Sequence, residues 1–319
     1  MRKLCAILDD YQDAARQMAD WSRIEDRVEL RTIRTPFASE DDVVAAIGDC
    51  EILVIMRERT PFPASLLARL PKLKLLVTSG MRNLAIDVAA AKARGIAVCG
   101  TDSFSEPPVE MTWALLLGIA RHVVPESNAL RANGPWQSGV GSDLAGRTLG
   151  LIGLGKIGAR VARVARAFDM KLVAWSQNLT ADTAHAADAV LAPNLESLLQ
   201  QSDYVSIHVV LGDRTRGLLG DAQLRQMKPS AYLINTSRAA IVQRAALLRA
   251  LQENWIAGAA MDVFETEPLP ADDPLRKLPN VLATPHIGYV TQRNYGAYFE
   301  QAVEDIEAWL TGNVVRALT

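Results

Sequence analysis

The sequence predicts an α/β protein built from two doubly wound parallel-sheet domains. Three observations predict it. Short apolar runs alternate with amphipathic stretches through the first hundred residues, a second such series begins at Thr148, and a glycine-rich turn joins the first apolar run of that series to a helical pattern. At 319 residues the chain has room for two domains.

In the first series, residues 4–8, 52–55, 73–77 and 96–98 read as strands. Residues 39–47 read as a helix, with Ser39 as N-cap and Asp42 three residues on. The segment 102–108 breaks the pattern, and residues 109–121 then carry apolar side chains on nearly every face of a helix, which demands burial on several sides. The second series places strands at 149–152, 172–175, 204–207, 232–235, 258–261 and 281–283. Their almost uninterrupted apolar character suits a sheet covered on both faces. After His286 one amphipathic helix remains, with Thr291 as N-cap and Tyr295, Phe299, Val303, Ile306 and Leu310 on one stripe. One helix is not a domain, so it is expected to return to the first. The expected organisation is a discontinuous domain, 1–102 and 286–319, with a second domain at 103–285 inserted into it.

Composition narrows the class of function. Apolar residues make up 49% and charged residues 22%, and the formal net charge is −2, so there is no broad basic surface for nucleic acid or an anionic membrane. Cys5, Cys50 and Cys99 are odd in number, widely spaced, and in or beside apolar runs. They are expected to be buried free thiols of a reducing compartment, not disulfide partners or metal ligands. No apolar run approaches the ~20 residues that span a bilayer. Met1-Arg2-Lys3 leads straight into a strand-like run, not a signal peptide. A soluble cytoplasmic protein without a metal site is the expectation.

The clearest motif is Gly153-Leu154-Gly155-Lys156-Ile157-Gly158, between a strand pattern and a helical one. In that setting the first glycine permits the tight turn, the second lets the backbone approach a pyrophosphate, and the third allows close helix–strand packing, while the helix N-terminus offers N–H groups to phosphate. A glycine triplet alone is an ordinary βα turn; flanked this way it points to a dinucleotide. The ribose-binding position about twenty residues on holds Ser176, followed by Gln177 and Asn178, instead of an acid. No carboxylate repels a 2′-phosphate there, and no arginine follows immediately to clamp one, so NAD and NADP both stay open.

Three later segments end predicted strands, where open α/β sheets place their ligand crevice. They are Asn235-Thr236-Ser237-Arg238, Asp262 through Glu267-Pro268, and Thr284-Pro285-His286-Ile287-Gly288. Taken singly, Arg238 reads as a surface arginine, Glu267 as a solvated charge and His286 as a structural histidine. Together with the glycine turn they resemble the D-isomer-specific 2-hydroxyacid dehydrogenase family. The resemblance spans almost the whole chain, for Thr78-Ser79-Gly80-Met81 through Asp87 looks like that family's substrate loop and 110–117 like its interdomain helix.

The resemblance implies a Rossmann-type cofactor domain inserted into a flavodoxin-like substrate domain, with Arg238, Glu267 and His286 as the catalytic trio. Glu265 is the rival carboxylate, but Glu267, fifth after Asp262, is the one that matches. By the same matching Met81, Gly153, Gly155, Lys156, Ile157, Gly158, Ser176, Val209, Thr236, Ser237, Asp262 and Gly288 line the cofactor. Arg57, Ser79 and Gly80 join Arg238 at the substrate, the last two through backbone N–H groups. Two departures stand out: Ala239 where the family usually has glycine, and Ser176 where it usually has aspartate. The implied chemistry is hydride transfer between NAD(P)(H) and C2 of a small D-2-hydroxy or 2-oxo acid. Histidine exchanges the proton near neutral pH, a carboxylate orients it and favours imidazolium, and a guanidinium fork holds the substrate carboxylate and polarises its carbonyl.

Two rivals share these residues. One is a dinucleotide-sensing regulator or corepressor on the same fold, since fold does not establish chemistry. The other is a phosphoglycerate dehydrogenase, for which Arg57, Arg59 and Arg82 are loose phosphate-binding candidates. Family resemblance, with the helix from Val109 and the loop around Trp136, also implies a homodimer.

Overall fold

The computed structural model describes residues 2–318. The chain divides into two compact units, Met1–Phe104 with Val290–Thr319, and Ser105–Tyr289.

The first unit contains β1 (Lys3–Ile7), β2 (Val28–Thr32), α1 (Glu40–Ile47), β3 (Ile52–Ile55), α2 (Ala64–Ala68), β4 (Leu75–Thr78), α3 (Val88–Ala93) and β5 (Ala97–Gly100). Its sheet is parallel in the order β2-β1-β3-β4-β5, a doubly wound order whose direction reverses between β1 and β3. Every residue of β3 and β4 is buried, in keeping with sequences that are apolar except for Thr78 at the end of β4. Ser39 caps α1 by accepting from the Asp42 N–H at 3.2 Å.

The second unit contains α4 (Glu106–Ala120), α5 (Val123–Arg131), β6 (Thr148–Ile152), α6 (Lys156–Ala167), β7 (Lys171–Trp175), α7 (Ala181–Ala186), β8 (Val190–Leu191), α8 (Leu195–Gln201), β9 (Tyr204–Ile207), α9 (Asp221–Leu224), β10 (Tyr232–Asn235), α10 (Arg244–Gln252), β11 (Gly258–Met261) and β12 (Val281–Ala283). The sheet order is β12-β11-β10-β9-β6-β7-β8, all parallel, reversing between β6 and β9. Successive residues enter opposite cores: Leu233, Ala259 and Met261 pack on one face, Ile234 and Ala260 on the other. This two-sided burial is why these strands lack polar alternation. The last helix, α11 (Gln292–Leu310), is capped by Thr291 and belongs to the first unit, where it packs against β4.

Three details differ from the sequence reading. The helix expected from Val109 begins at Glu106, because Pro107 and Pro108 fall in its first turn, where no intrahelical N–H is required. Strand β2 was not foreseen; only one of its five residues is fully buried, and Glu29 and Arg31 interrupt its apolar pattern. Strand β8, two residues long, carries too little sequence to announce itself. Among the described residues no helix is long and apolar enough to cross a membrane.

Candidate active site

The glycine turn stands at the point where the second sheet reverses direction, after β6 and beside the end of β9. Gly153 has φ +101°, and a Cβ there would lie 2.8 Å from the carbonyl carbon of His208, which follows β9. A Cβ on Gly158 would lie 2.2 Å from the Gly153 carbonyl oxygen, so α6 can approach the strand only without a side chain. Nothing lies within 4 Å of the Cβ position of Gly155, the N-cap of α6. Two glycines are thus demanded by packing, and the middle one faces open space at a helix N-terminus. That cradle fits a dinucleotide pyrophosphate. Lys156 and Ile157 form the first turn of α6, and Ser176 directly follows β7.

His208 supports this turn from below. Its Nε2 lies 2.9 Å from Ser206 Oγ, and burial lowers its pKa from 6.5 to about 4, which keeps a positive charge out of the sheet. Next to it, the Val209 carbonyl accepts from Ser237 Oγ at 2.7 Å, and Thr236 Oγ1 meets Thr112 Oγ1 at 2.8 Å. The hydroxyls of Thr236 and Ser237 are therefore already engaged within the protein.

Arg238, Asp262 and His286 follow β10, β11 and β12, three adjacent strands of one parallel sheet, so they emerge along the same edge. Arg238 is partly buried; its carbonyl accepts from Asn235 Nδ2 at 3.1 Å and its Nη1 donates to Ser237 O at 2.8 Å. His286 Nδ1 lies 2.6 Å from Glu267 Oε2, while Glu267 Oε1 accepts from the Phe264 N–H at 2.8 Å. An ionised Glu267 can only accept, so it selects the tautomer with hydrogen on Nδ1 and leaves Nε2 for exchange with a ligand. Glu265, the rival in the sequence, is not the residue on this imidazole.

Asp262 does more than its sequence context suggested. Buried beneath the turn, its carboxylate accepts from Thr284 Oγ1 at 2.6 Å, the Ile287 N–H at 2.8 Å and the Gly288 N–H at 2.7 Å. Burial raises its pKa, and the three donors and the nearby His286 oppose the rise. A Cβ on Gly288 would sit 2.8 Å from Asp262 Oδ2, so the glycine is required by this anchor. His286 is held at φ 53°, in the left-handed region. The Tyr289 ring stands edge-on to the imidazole, 5.2 Å between centroids and 86° between planes. Tyr289 was missed in the sequence; its only signal was an aromatic three residues after the histidine.

In the first unit, Ser79, Gly80 and Met81 follow β4, and Arg57 follows β3. Ser79 Oγ accepts from the Arg57 N–H at 2.9 Å, and a Cβ on Gly80, whose φ is +89°, would lie 2.7 Å from Arg57 Nη1. Of the two backbone N–H groups expected at the substrate, that of Ser79 donates to Ile55 O at 3.1 Å and that of Gly80 to Thr101 Oγ1 at 3.0 Å. Each already has a partner, because the turn is locked to β3 and to the residue after β5. Among the described residues no group of three or more His, Cys, Asp or Glu is arranged to hold a metal.

Residues 113–288 match the model of the NAD-binding domain of D-isomer-specific 2-hydroxyacid dehydrogenases. The glyoxylate reductase of Korarchaeum cryptofilum is 37% identical over 301 residues, covering 92% of this chain and 90% of the relative. The chain belongs to this family. It is an NAD(P)-dependent oxidoreductase, a D-2-hydroxyacid dehydrogenase. The glycerate dehydrogenase of Methylorubrum extorquens is 35% identical over 292 residues, 87% of the dehydrogenase described here and 89% of the relative. A solved phosphoglycerate oxidoreductase from Vibrio cholerae O395 has TM-score 0.92 and 35% identity, covering 98% of this dehydrogenase and 100% of that chain.

Proposed function

We propose that this dehydrogenase interconverts a small D-2-hydroxy acid and its 2-oxo acid, with glyoxylate and hydroxypyruvate as the first candidates. The observation that carries the reading is the 2.6 Å contact of His286 Nδ1 with Glu267 Oε2, on the sheet edge shared with Arg238.

A bound nicotinamide would supply or accept the hydride at C2. The chain's own residues do the rest. In reduction, Arg238 holds the substrate carboxylate and polarises the carbonyl oxygen as charge develops on it. His286 delivers the proton from Nε2 to that oxygen, and Glu267 keeps the ring oriented and stabilises its cationic form before transfer. In oxidation the same nitrogen takes the hydroxyl proton. Gly153, Gly155, Gly158, Lys156 and Ile157 would hold the pyrophosphate, and Ser176, Val209, Thr236, Ser237, Asp262 and Gly288 would flank the rest of the cofactor. The unit 105–289 is proposed as the cofactor domain, and the unit 1–104 with 290–319 as the substrate-binding domain.

The names of the glyoxylate reductase and glycerate dehydrogenase relatives support this substrate class. A 3-phosphoglycerate substrate is the second reading, favoured by the name of the Vibrio structure and by Arg57 and Arg59, both rooted just after β3. Steady-state oxidation of NADH and NADPH against glyoxylate, hydroxypyruvate, bulkier 2-oxo acids and 3-phosphohydroxypyruvate tests both. Turnover confined to the phosphorylated substrate selects the second; cofactor binding with no turnover on the whole panel selects a dinucleotide sensor.

A homodimer and a cytoplasmic location complete the reading. Helix α5 buries none of its residues and exposes Val123, Val124 and Leu130, and the segment after it exposes Trp136 and Val140. Several large apolar side chains exposed within one short segment suit a surface covered by a partner. All three cysteines are buried free thiols, as a reducing compartment permits.

A further inference from the structure

The ribose position of this enzyme has no carboxylate, and the sequence around it offers no arginine. The fold supplies one from elsewhere. Arg214 lies in the loop after β9, the strand two places from β7 in the sheet. The two residues after Ser176 grip it. Gln177 Nε2 donates to the Arg214 carbonyl at 3.1 Å. Asn178, in the amide orientation that satisfies both its ends, accepts from Arg214 Nη2 at 3.2 Å and donates to the Gln177 carbonyl at 3.2 Å.

The loop itself is stiffened, since Thr215 Oγ1 accepts from the Gly212 N–H at 2.9 Å and donates to the Val210 carbonyl at 2.7 Å. Arg214 therefore has both its backbone and its guanidinium tied to the end of β7. It forms no ion pair among the described residues, and the Ser176 hydroxyl donates to no protein acceptor there. An arginine paired with an acid would be structural; this one keeps most of its five donors, held by the two residues that directly follow Ser176.

We propose that Ser176, Asn178 and Arg214 form a 2′-phosphate subsite, so that the enzyme prefers NADP(H) over NAD(H). The proposal deepens the dehydrogenase reading and rests on it. A phosphomonoester carries about −1.5 to −2 charges at neutral pH and three acceptor oxygens, which suits a planar guanidinium fork and a hydroxyl donor. An acid at position 176 would repel that phosphate and accept from the free 2′-hydroxyl of NAD instead.

The test is calorimetric titration of the intact protein with adenosine 2′,5′-bisphosphate and with 5′-AMP, repeated for Arg214→Ala and Ser176→Asp. The bisphosphate is expected to bind at least about tenfold tighter than 5′-AMP to the unmodified protein, since one charge-assisted pair suffices for that factor. Arg214→Ala should remove most of the difference by weakening only the bisphosphate, and Ser176→Asp should reverse the preference. Equal affinities in the unmodified protein, or an Arg214→Ala loss shared equally by both nucleotides, overturns the subsite. Turnover is scored separately: a preserved bisphosphate preference without 2-oxo acid reduction sinks the dehydrogenase reading and keeps the subsite, whereas equal nucleotide affinities with NADH-driven turnover do the opposite.

Discussion

His286 and Glu267 are joined at 2.6 Å although they leave different loops, the glutamate after β11 and the histidine after β12. The side chains are partly exposed, 21% for the imidazole and 28% for the carboxylate, so the pair is open to a ligand and fixed without one. Glu267→Gln keeps the shape and removes the charge that favours imidazolium. In the reductive direction kcat is expected to fall by about tenfold or more at neutral pH, with KM for the cofactor little changed. An unchanged kcat in the variant would remove Glu267 from proton transfer.

Asp262 acts on His286 through the backbone, by gathering Thr284 Oγ1 and the N–H groups of Ile287 and Gly288. Asp262→Ala strands the buried Gly288 N–H, at a cost of about 1–3 kcal/mol, and leaves the partly buried donors of Thr284 and Ile287 without their acceptor. A clear drop in melting temperature is expected, with a loss of kcat that Asp262→Asn only partly restores, because an amide presents one acceptor where the turn uses two oxygens. A variant with unaltered stability and kcat would contradict the anchoring role.

His208 gives a stability signature in acid. Its pKa is lowered from 6.5 to about 4 in the folded state, so as pH falls through this range the unfolded chain takes up the proton first. The contribution is complete above about 6.5 and is lost progressively toward pH 4, by up to about 3 kcal/mol. That figure is an upper bound, because the residue retains some solvent contact. Denaturant unfolding of the protein and of His208→Gln at a series of pH values should show a flatter dependence in the variant between pH 4 and 6.5; parallel curves would place the histidine outside this account.

Trp136 is 81% exposed and Val140 95%, beside an α5 that buries nothing. If this surface closes a homodimer, Trp136→Lys should shift the sedimentation coefficient toward the monomer while leaving the circular dichroism spectrum intact. A monomeric unmodified protein, or a variant that dimerises as well as the original, would remove the surface from assembly.

Much of this was legible in the chain. The central strands of both sheets announce themselves because burial on two faces leaves them largely apolar, whereas the edge strands β2 and β8 do not, and Ser39 and Thr291 mark helix starts through local cap chemistry. The glycine turn is readable because Gly153 and Gly158 answer close backbone approaches that a side chain would block, while Gly155 leaves the helix N-terminus open. What escaped depends on long-range placement. Arg214 reaches the ribose position from a loop 36 residues downstream of Asn178, and Tyr289 meets His286 only because the turn around Asp262 folds them together. The engagement of the Ser79 and Gly80 N–H groups by Ile55 and Thr101 likewise follows from strand neighbours, which no local pattern encodes.

The most direct measurement is single-turnover reduction of a 2-oxo acid by His286→Ala, read as nicotinamide oxidation from pH 5 to 9, with cofactor affinity determined in parallel. The account predicts a rate at least about a hundredfold lower at neutral pH, with cofactor affinity within a few-fold of the original. A variant that transfers hydride at near-original rates across that range would contradict it.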